Sequence, residues 1–179
     1  MTTAVNAMSA SIGNAYNFIK QLDTSLNDIQ IVTNKSAQSM QQFAIEANTA
    51  AKALGTSTND YTKAALIYYQ QGLDDKDVAA RTETTLKAMN ITKQSAATVS
   101  EQLTALWNGY KVSADQAESY VDKLAAVAAT PASTLEELST AISKVASSAN
   151  MLGVNADQLV AQVSTIVSAT RQAPEAVGT

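Results

Sequence analysis

Residues 12–29 have the sequence IGNAYNFIKQLDTSLNDI, in which large apolar residues recur every three or four positions. This spacing predicts one apolar face of an α-helix, and its repeat of seven is typical of the a and d positions of a coiled coil. The pattern extends from Val5 to Leu54, and its strongest members are Ile12, Ile19, Leu22, Leu26, Ile29, Met40 and Phe43. We therefore predict that residues 1–54 form a heptad-patterned coiled-coil arm.

The heptad pattern leaves the partner of this arm open. One interpretation is a parallel homo-oligomer, in which the seven residues above form the seam between copies. The other is a long amphipathic helix whose apolar face packs on its own domain. Thr33 and Ser36 weaken the seam, and the flanking e and g positions carry few charges, so salt bridges do not select the partner there. We favour self-association through this seam.

Beyond the arm, the sequence becomes a series of shorter amphipathic patterns. Leu54-Gly55 followed by Thr58-Asn59 predicts a helix stop and a restart, because glycine often ends a helix and a polar residue caps the next. Further predicted starts are Asp74, Thr92 and Asn155, the last in a capping box with Gln158.

The apolar spacing is helical throughout, and no stretch favours a strand. We therefore predict an all-α fold in which a long N-terminal coiled-coil helix precedes a core of short packed helical hairpins over residues 55–179. The side chains that we expect to pack in this core are those of Trp107, Tyr120, Leu124, Leu138, Ile142, Val145, Leu159, Val163 and Ile166.

Composition argues against several classes of function. The 179 residues include 0 Cys and 0 His, which removes disulfides, thiolate metal sites and the usual nucleophile–base pairs. The formal net charge of −4 at pH 7 disfavours a nucleic-acid site, which needs clustered Lys and Arg. No apolar run approaches the ~20 residues of a membrane span. We predict a non-enzymatic protein with no catalytic residue, cofactor, metal site or transmembrane segment.

Two local clusters have alternative interpretations. The acidic residues Asp74, Asp75 and Asp77 lack the glycine and glutamate that a Ca²⁺ loop requires at its sixth and twelfth positions, so we interpret them as carboxylates that stabilise a helix N-terminus. A group of tyrosines on one short helix is interpreted as core filling, with a sugar-binding or partner-binding face as the alternative; it consists of Tyr61, Tyr68 and Tyr69.

Trp107-Asn108-Gly109 is a W-x-G motif that we expect at a turn between two helices. Its likeness to small secreted helical-hairpin proteins gives an alternative function, a secreted or host-associated W-x-G binding module. Such proteins usually carry a Tyr-x-x-x-Asp export signal, whereas Tyr110 and Tyr120 are followed at that spacing by other residues. We therefore interpret Trp107 as a core anchor.

Three segments carry a family pattern through their order and spacing. They are AALIYYQQGL at residues 64–73 with the following Asp77-Val78, then LAAVAATPASTLEELSTAISKVASSA at 124–149, then Leu152-Gly153-Val154 with AVGT at 176–179. Together they resemble the core region of phage tail tape measure proteins. That family often continues past such a Gly-Thr, so we expect the core domain of residues 55–179 to be C-terminally truncated here.

The resemblance implies a structural scaffold in the lumen of the tail tube. A tape measure protein sets tail length during assembly in the host cytoplasm and takes part in genome delivery. The partners that it implies are further copies of the chain, as a trimer or hexamer, together with the tail tube protein, tail assembly chaperones and baseplate or tail-tip proteins.

Overall fold

With only 2 Pro and 6 Gly in the chain, long helices are sterically permitted. The structure is a computed structural model that describes residues 2–110, 119, 121–122 and 135–170. Across these residues the all-α prediction is confirmed, since each regular element is a helix: α1 (Thr2–Thr33), α2 (Ala37–Ala53), α3 (Thr58–Gln70), α4 (Asp75–Thr92), α5 (Ala96–Tyr110), α6 (Leu135–Met151) and α7 (Ala156–Thr170).

The chain divides into two compact units, residues 1–74 and residues 75–179. Unit 1 contains α1, α2 and α3, and unit 2 contains α4 to α7. The arm–core boundary expected after Leu54 therefore lies inside unit 1. The unit extends past Leu54 because α3 packs on both α1 and α2, so the heptad-patterned helices fold together with the next helix of the chain.

The short turns between the described helices share one design. One or two positions after the helix ends stands a residue with a left-handed backbone, with φ from 53° to 79°; these residues are Asn34, Gly55, Gly72, Lys93 and Gly153. Two positions later stands the residue that directly precedes the next helix: Ser36, Ser57, Asp74, Ser95 and Asn155. A left-handed residue stops a helix, and a short polar side chain starts the next one, so the sequence itself determines each break.

Capping side chains fix the helix starts. The predicted capping box is confirmed, because Asn155 Oδ1 accepts a hydrogen bond from the Gln158 N–H at 2.9 Å and Gln158 Oε1 accepts one from the Asn155 N–H at 3.2 Å. The prediction that Thr92 caps α5 is wrong, since Thr92 is the last residue of α4. Ser95 has that role instead and accepts from the Thr98 N–H at 3.2 Å.

In unit 1, α1 and α3 lie side by side and run in the same direction. Asn59 at the start of α3 contacts Phe18, and Lys63 one turn later contacts Gln21. The largest buried side chains in the described part of this unit come from α3, where the tyrosines predicted to fill the core are all buried; these are Tyr61, Tyr68 and Tyr69.

In unit 2, α4 and α5 form an antiparallel hairpin, since Arg81 near the start of α4 contacts Trp107 near the end of α5. α5 and α6 run in the same direction, because Gln102 contacts Thr140 and, two turns later, Gly109 approaches Ala146. α7 returns after a tight turn and adds apolar residues to a cluster with α5 and α6. This cluster is a hydrophobic core of unit 2.

Lys93 is an exposed, non-glycine residue with φ of 60°. Its Cβ costs about 1–2 kcal/mol in this conformation, while glycine would lose about 0.5–1 kcal/mol of backbone entropy. We expect Lys93→Gly to raise the free energy of unfolding by about 0.5–1 kcal/mol in urea denaturation. Lys93→Ala keeps the Cβ and should give no gain. Equal stabilisation by both variants would contradict this explanation of the turn.

Candidate functional site

Two packing surfaces are the candidate functional features among the described residues. One is the row of predicted seam residues in unit 1, from Ile12 to Phe43, called here the heptad stripe. The other is the crossing of α5 and α6 in unit 2. Among the residues that the structure describes, no group of three or more His, Cys, Asp or Glu side chains could hold a metal ion. None of the described helices is long and apolar enough to cross a membrane.

The structure divides the heptad stripe into a covered and an uncovered part. The covered part, whose side chains are buried or half-buried within unit 1, consists of Leu22, Leu26, Ile29, Met40 and Phe43. The uncovered part is Ile19, which is 65% exposed. The side chain of Ile12 lies outside the described part of the structure. The stripe thus packs within the chain at one end and faces solvent at the other.

Polar contacts fix where α3 begins to cover α1. Asn59 Nδ2 donates a hydrogen bond to the Phe18 carbonyl at 3.1 Å, and Lys63 Nζ donates to Gln21 Oε1 at 3.3 Å. Asn59 is buried, so its bond to the α1 backbone is shielded from water. From this point α3 follows α1 toward its C-terminal end, where Ile29 is fully buried.

An aromatic cluster holds the turn between α1 and α2 against α3. Lys35 Nζ lies 4.9 Å from the centroid of the Tyr69 ring and donates a hydrogen bond to the Tyr69 hydroxyl at 3.3 Å. Phe43 packs against the same ring at 5.9 Å and against the Tyr61 ring at 6.3 Å. Phe43, predicted as a residue of the oligomer seam, is therefore engaged within its own chain.

Residues 13–21 of α1 have no such cover. Residues 13–21 are all exposed, and the large apolar side chains among them are 66% exposed at Tyr16, 39% at Phe18 and 65% at Ile19. Residues 2–19 contain no charged side chain. Residues 13–19 therefore present apolar and uncharged polar groups to water, and we call this segment the uncovered arm.

In unit 2, most of the residues expected in the core lie in the cluster formed by α5, α6 and α7. Buried in it are Leu138, Ile142, Leu159 and Val163, and Val145 packs against it from a half-buried position. Ile166 differs from expectation: it is 37% exposed, since Val163 and Val167 take the inward face of α7. Tyr120 and Leu124 lie outside the described residues.

The α5–α6 crossing depends on a glycine. A Cβ built on Gly109 would lie 3.0 Å from both the Ala146 Cβ and the Ser147 backbone nitrogen, closer than side chains ordinarily approach. Asn150 Nδ2 donates a hydrogen bond of 2.6 Å to the Gly109 carbonyl, which joins the two helices beside this close approach. The sequence contained only an indirect signal for this contact, the glycine of the W-x-G motif.

The W-x-G motif does not form a turn. Trp107, Asn108 and Gly109 all belong to α5, so the expected turn at this position is wrong. Trp107 is buried, and the Arg81 guanidinium carbon lies 4.6 Å from the centroid of its ring, a cation–π contact that joins α4 to α5. Since the secreted-hairpin alternative depended on a turn at this motif, its structural basis is absent here.

Comparison with known protein families places these helices in a biological context. The family model of phage-related minor tail proteins matches residues 48–179. The chain belongs to this family. A role in the structure of the phage tail follows from that membership, and the matched region includes α3 with its tyrosines and all of unit 2. No solved structure matches the chain.

The close crossing gives a prediction for this tail protein. Gly109→Ala gains up to ~1 kcal/mol of helix propensity but forces a Cβ against the α6 backbone, at a cost of about 1–3 kcal/mol. We therefore expect a net loss of stability in urea denaturation. Gly13→Ala is the matched control, because Gly13 is helical and its added Cβ meets nothing within 4 Å. The control should be neutral or stabilising; stabilisation by both would contradict the crossing.

The core of unit 2 gives a second prediction. Leu138→Ala and Ile142→Ala each remove a fully buried side chain, so each should lower the free energy of unfolding by about 2–5 kcal/mol. Ile166→Ala deletes the same atoms as Ile142→Ala from a partly exposed site and should cost about 1 kcal/mol or less. Chemical denaturation of the three variants tests the difference, and similar losses at Ile142 and Ile166 would show that the α7 face is assigned incorrectly.

Proposed function

We propose that this chain is part of a phage tail tape measure protein, a helical scaffold in the tail lumen that sets tail length and takes part in assembly and genome delivery. The observation that carries the proposal is membership in the phage-related minor tail protein family over residues 48–179. The three segments that resemble the tape measure core, including AALIYYQQGL at residues 64–73, support the narrower assignment within that family.

Helices suit a molecular ruler because their rise per residue is fixed. At 1.5 Å per residue, the 32 residues of α1 span about 48 Å. A chain of such helices aligned along a tube converts residue number directly into distance. The short turns described above would shorten this ruler wherever the chain folds back, so both helix length and turn position enter the measured length.

Composition supports a location inside a narrow tube. Small side chains allow helices to approach closely, as at the contact of Gly109 with Ala146. The net charge of −4 gives little attraction to DNA phosphates, so DNA that follows the scaffold would not bind to it. Both properties favour a scaffold that fills the lumen during assembly and leaves it at infection.

The proposal assigns the chain a structural role and no reaction. Its partners are then the tail tube protein, the tail assembly chaperones and the baseplate or tail-tip proteins, together with further copies of the chain in a trimer or hexamer. The site of assembly is the host cytoplasm, and the final location is the lumen of the virion tail.

Tail length in the phage that encodes this chain tests the proposal. An insertion of four heptads, about 28 residues, between Tyr16 and Asn17 keeps the helical register and leaves the part of α1 that α3 covers intact. We expect tails longer by about 42 Å, or by the nearest whole number of tube rings, in electron micrographs of purified virions.

The matched control is an insertion of equal length made of Gly and Ser, which has no fixed helical rise. It should not reproduce the uniform 42 Å extension that about 28 helical residues give. Virions that contain the helical insertion but have tails of the original length would contradict length determination by this segment, while their assembly would still agree with a structural role in the tail.

A further inference from the structure

The glycine that allows α5 and α6 to cross is preceded by an asparagine. Asn108-Gly109 is the one Asn-Gly pair in the sequence, and both residues lie in the last turn of α5. The Asn108 side chain is exposed, whereas Gly109 is buried against α6. An asparagine before glycine is especially labile, because glycine has no Cβ that would hinder attack by its backbone nitrogen on the side-chain amide.

We propose that Asn108 is a deamidation site, which folded α5 protects from reaction and which becomes reactive when this helix opens. The co-reactant is water, and the products are ammonia and a carboxylate at position 108. The inference is independent of the tape measure function, since it concerns one covalent reaction within the chain.

The reaction proceeds through a cyclic imide. The Gly109 backbone nitrogen loses its proton and forms a bond to Cγ of Asn108, while the Cγ–Nδ2 bond breaks and ammonia leaves. Water then opens the resulting succinimide ring at either of its two carbonyl carbons, which gives aspartate or isoaspartate. In isoaspartate the main chain runs through the side-chain carbons, so the backbone gains one methylene carbon between positions 108 and 109.

Helical geometry opposes ring closure in the folded chain. Asn108 and Gly109 both belong to α5, and at the helical ψ of about −42° the Gly109 nitrogen is not directed at Cγ of Asn108. In an α-helix that N–H also donates to the carbonyl four residues earlier. On its other side, the Gly109 carbonyl accepts the 2.6 Å hydrogen bond from Asn150. The reaction therefore requires that α5 opens at this point.

Isoaspartate at position 108 would prevent the original crossing from forming again. Even a single Cβ added at Gly109 would lie 3.0 Å from both the Ala146 Cβ and the Ser147 nitrogen, so this contact has no room for a displaced backbone. The extra methylene carbon directly before Gly109 shifts the backbone and moves its carbonyl away from Asn150. A chain that stays open long enough to react therefore loses the native packing of α5 on α6.

Incubation of the full chain at mildly alkaline pH, in buffer and in guanidinium chloride, tests the protection. Trypsin then releases residues 94–111, in which Asn108 is the one asparagine, so mass spectrometry follows this site by itself. We expect deamidation at Asn108 to be at least about tenfold faster in the denaturant, since the open form alone reacts.

Asn90 is the internal control, because it is also helical but is followed by Ile91, whose branched side chain hinders ring closure. Trypsin releases it in the separate peptide of residues 88–93, and it should react slowly in both conditions. Equal rates at Asn108 in buffer and in denaturant would overturn the protection by α5. A rate at Asn108 in denaturant no higher than that at Asn90 would overturn the site itself.

The isoaspartate form, purified after the reaction and returned to buffer, tests the effect on the crossing. It should unfold at a lower denaturant concentration than the native chain. Asn108→Asp is the matched control, because it places the same carboxylate at an exposed position without the additional backbone carbon. Its unfolding midpoint should stay close to that of the native chain. Equal midpoints for the isoaspartate form and Asn108→Asp would overturn the claim that the modification disrupts the crossing.

Discussion

Close approach between helices compensates for the small side chains of this protein. Aromatic residues make up only 5% of the chain, so burial of each helix contributes less than in a core rich in large residues. In unit 2, α5 and α6 compensate by a close backbone approach at Gly109, where an added Cβ would lie only 3.0 Å from the Ala146 Cβ. In unit 1 the tyrosines of α3, including the fully buried Tyr68, supply large buried side chains. Residues 13–21 of α1 have neither a close backbone approach nor a tyrosine-rich partner helix, and their apolar side chains are exposed.

Much of the fold follows from local sequence signals, but the pairing of helices does not. Helical spacing and capping residues predicted the all-α class and the Asn155 cap, because both depend on residues within one or two turns. The stride of seven marked an inward face from Leu22 to Phe43, where the named stripe residues are buried or half-buried, but it also marked Ile19, which is exposed. It could not tell which helix covers those faces, since a coiled coil and an intramolecular bundle bury the same positions.

The candidate surfaces show the same limit. The apolar row of α1 was visible in the sequence, yet its division at Leu22 depends on where α3 lies. The W-x-G motif that contains Gly109 was misleading, because it suggested a turn where the structure has a helix crossing. Ile166 has helical spacing but lies beside Val163 and Val167, which take the inward positions on α7. Because the chain belongs to the minor tail protein family, these packing surfaces are those of a phage tail protein.

Hydrogen exchange of α1 as a function of protein concentration tests whether the cover on this helix begins at Leu22. We expect amides of residues 22–33 to be protected equally at every concentration, because α3 covers them within the chain. Amides of residues 13–20 should exchange rapidly in dilute solution and become protected as copies associate. Protection of residues 13–20 that does not change with concentration, or of residues 22–33 that appears only on association, would contradict the division of the helix at Leu22.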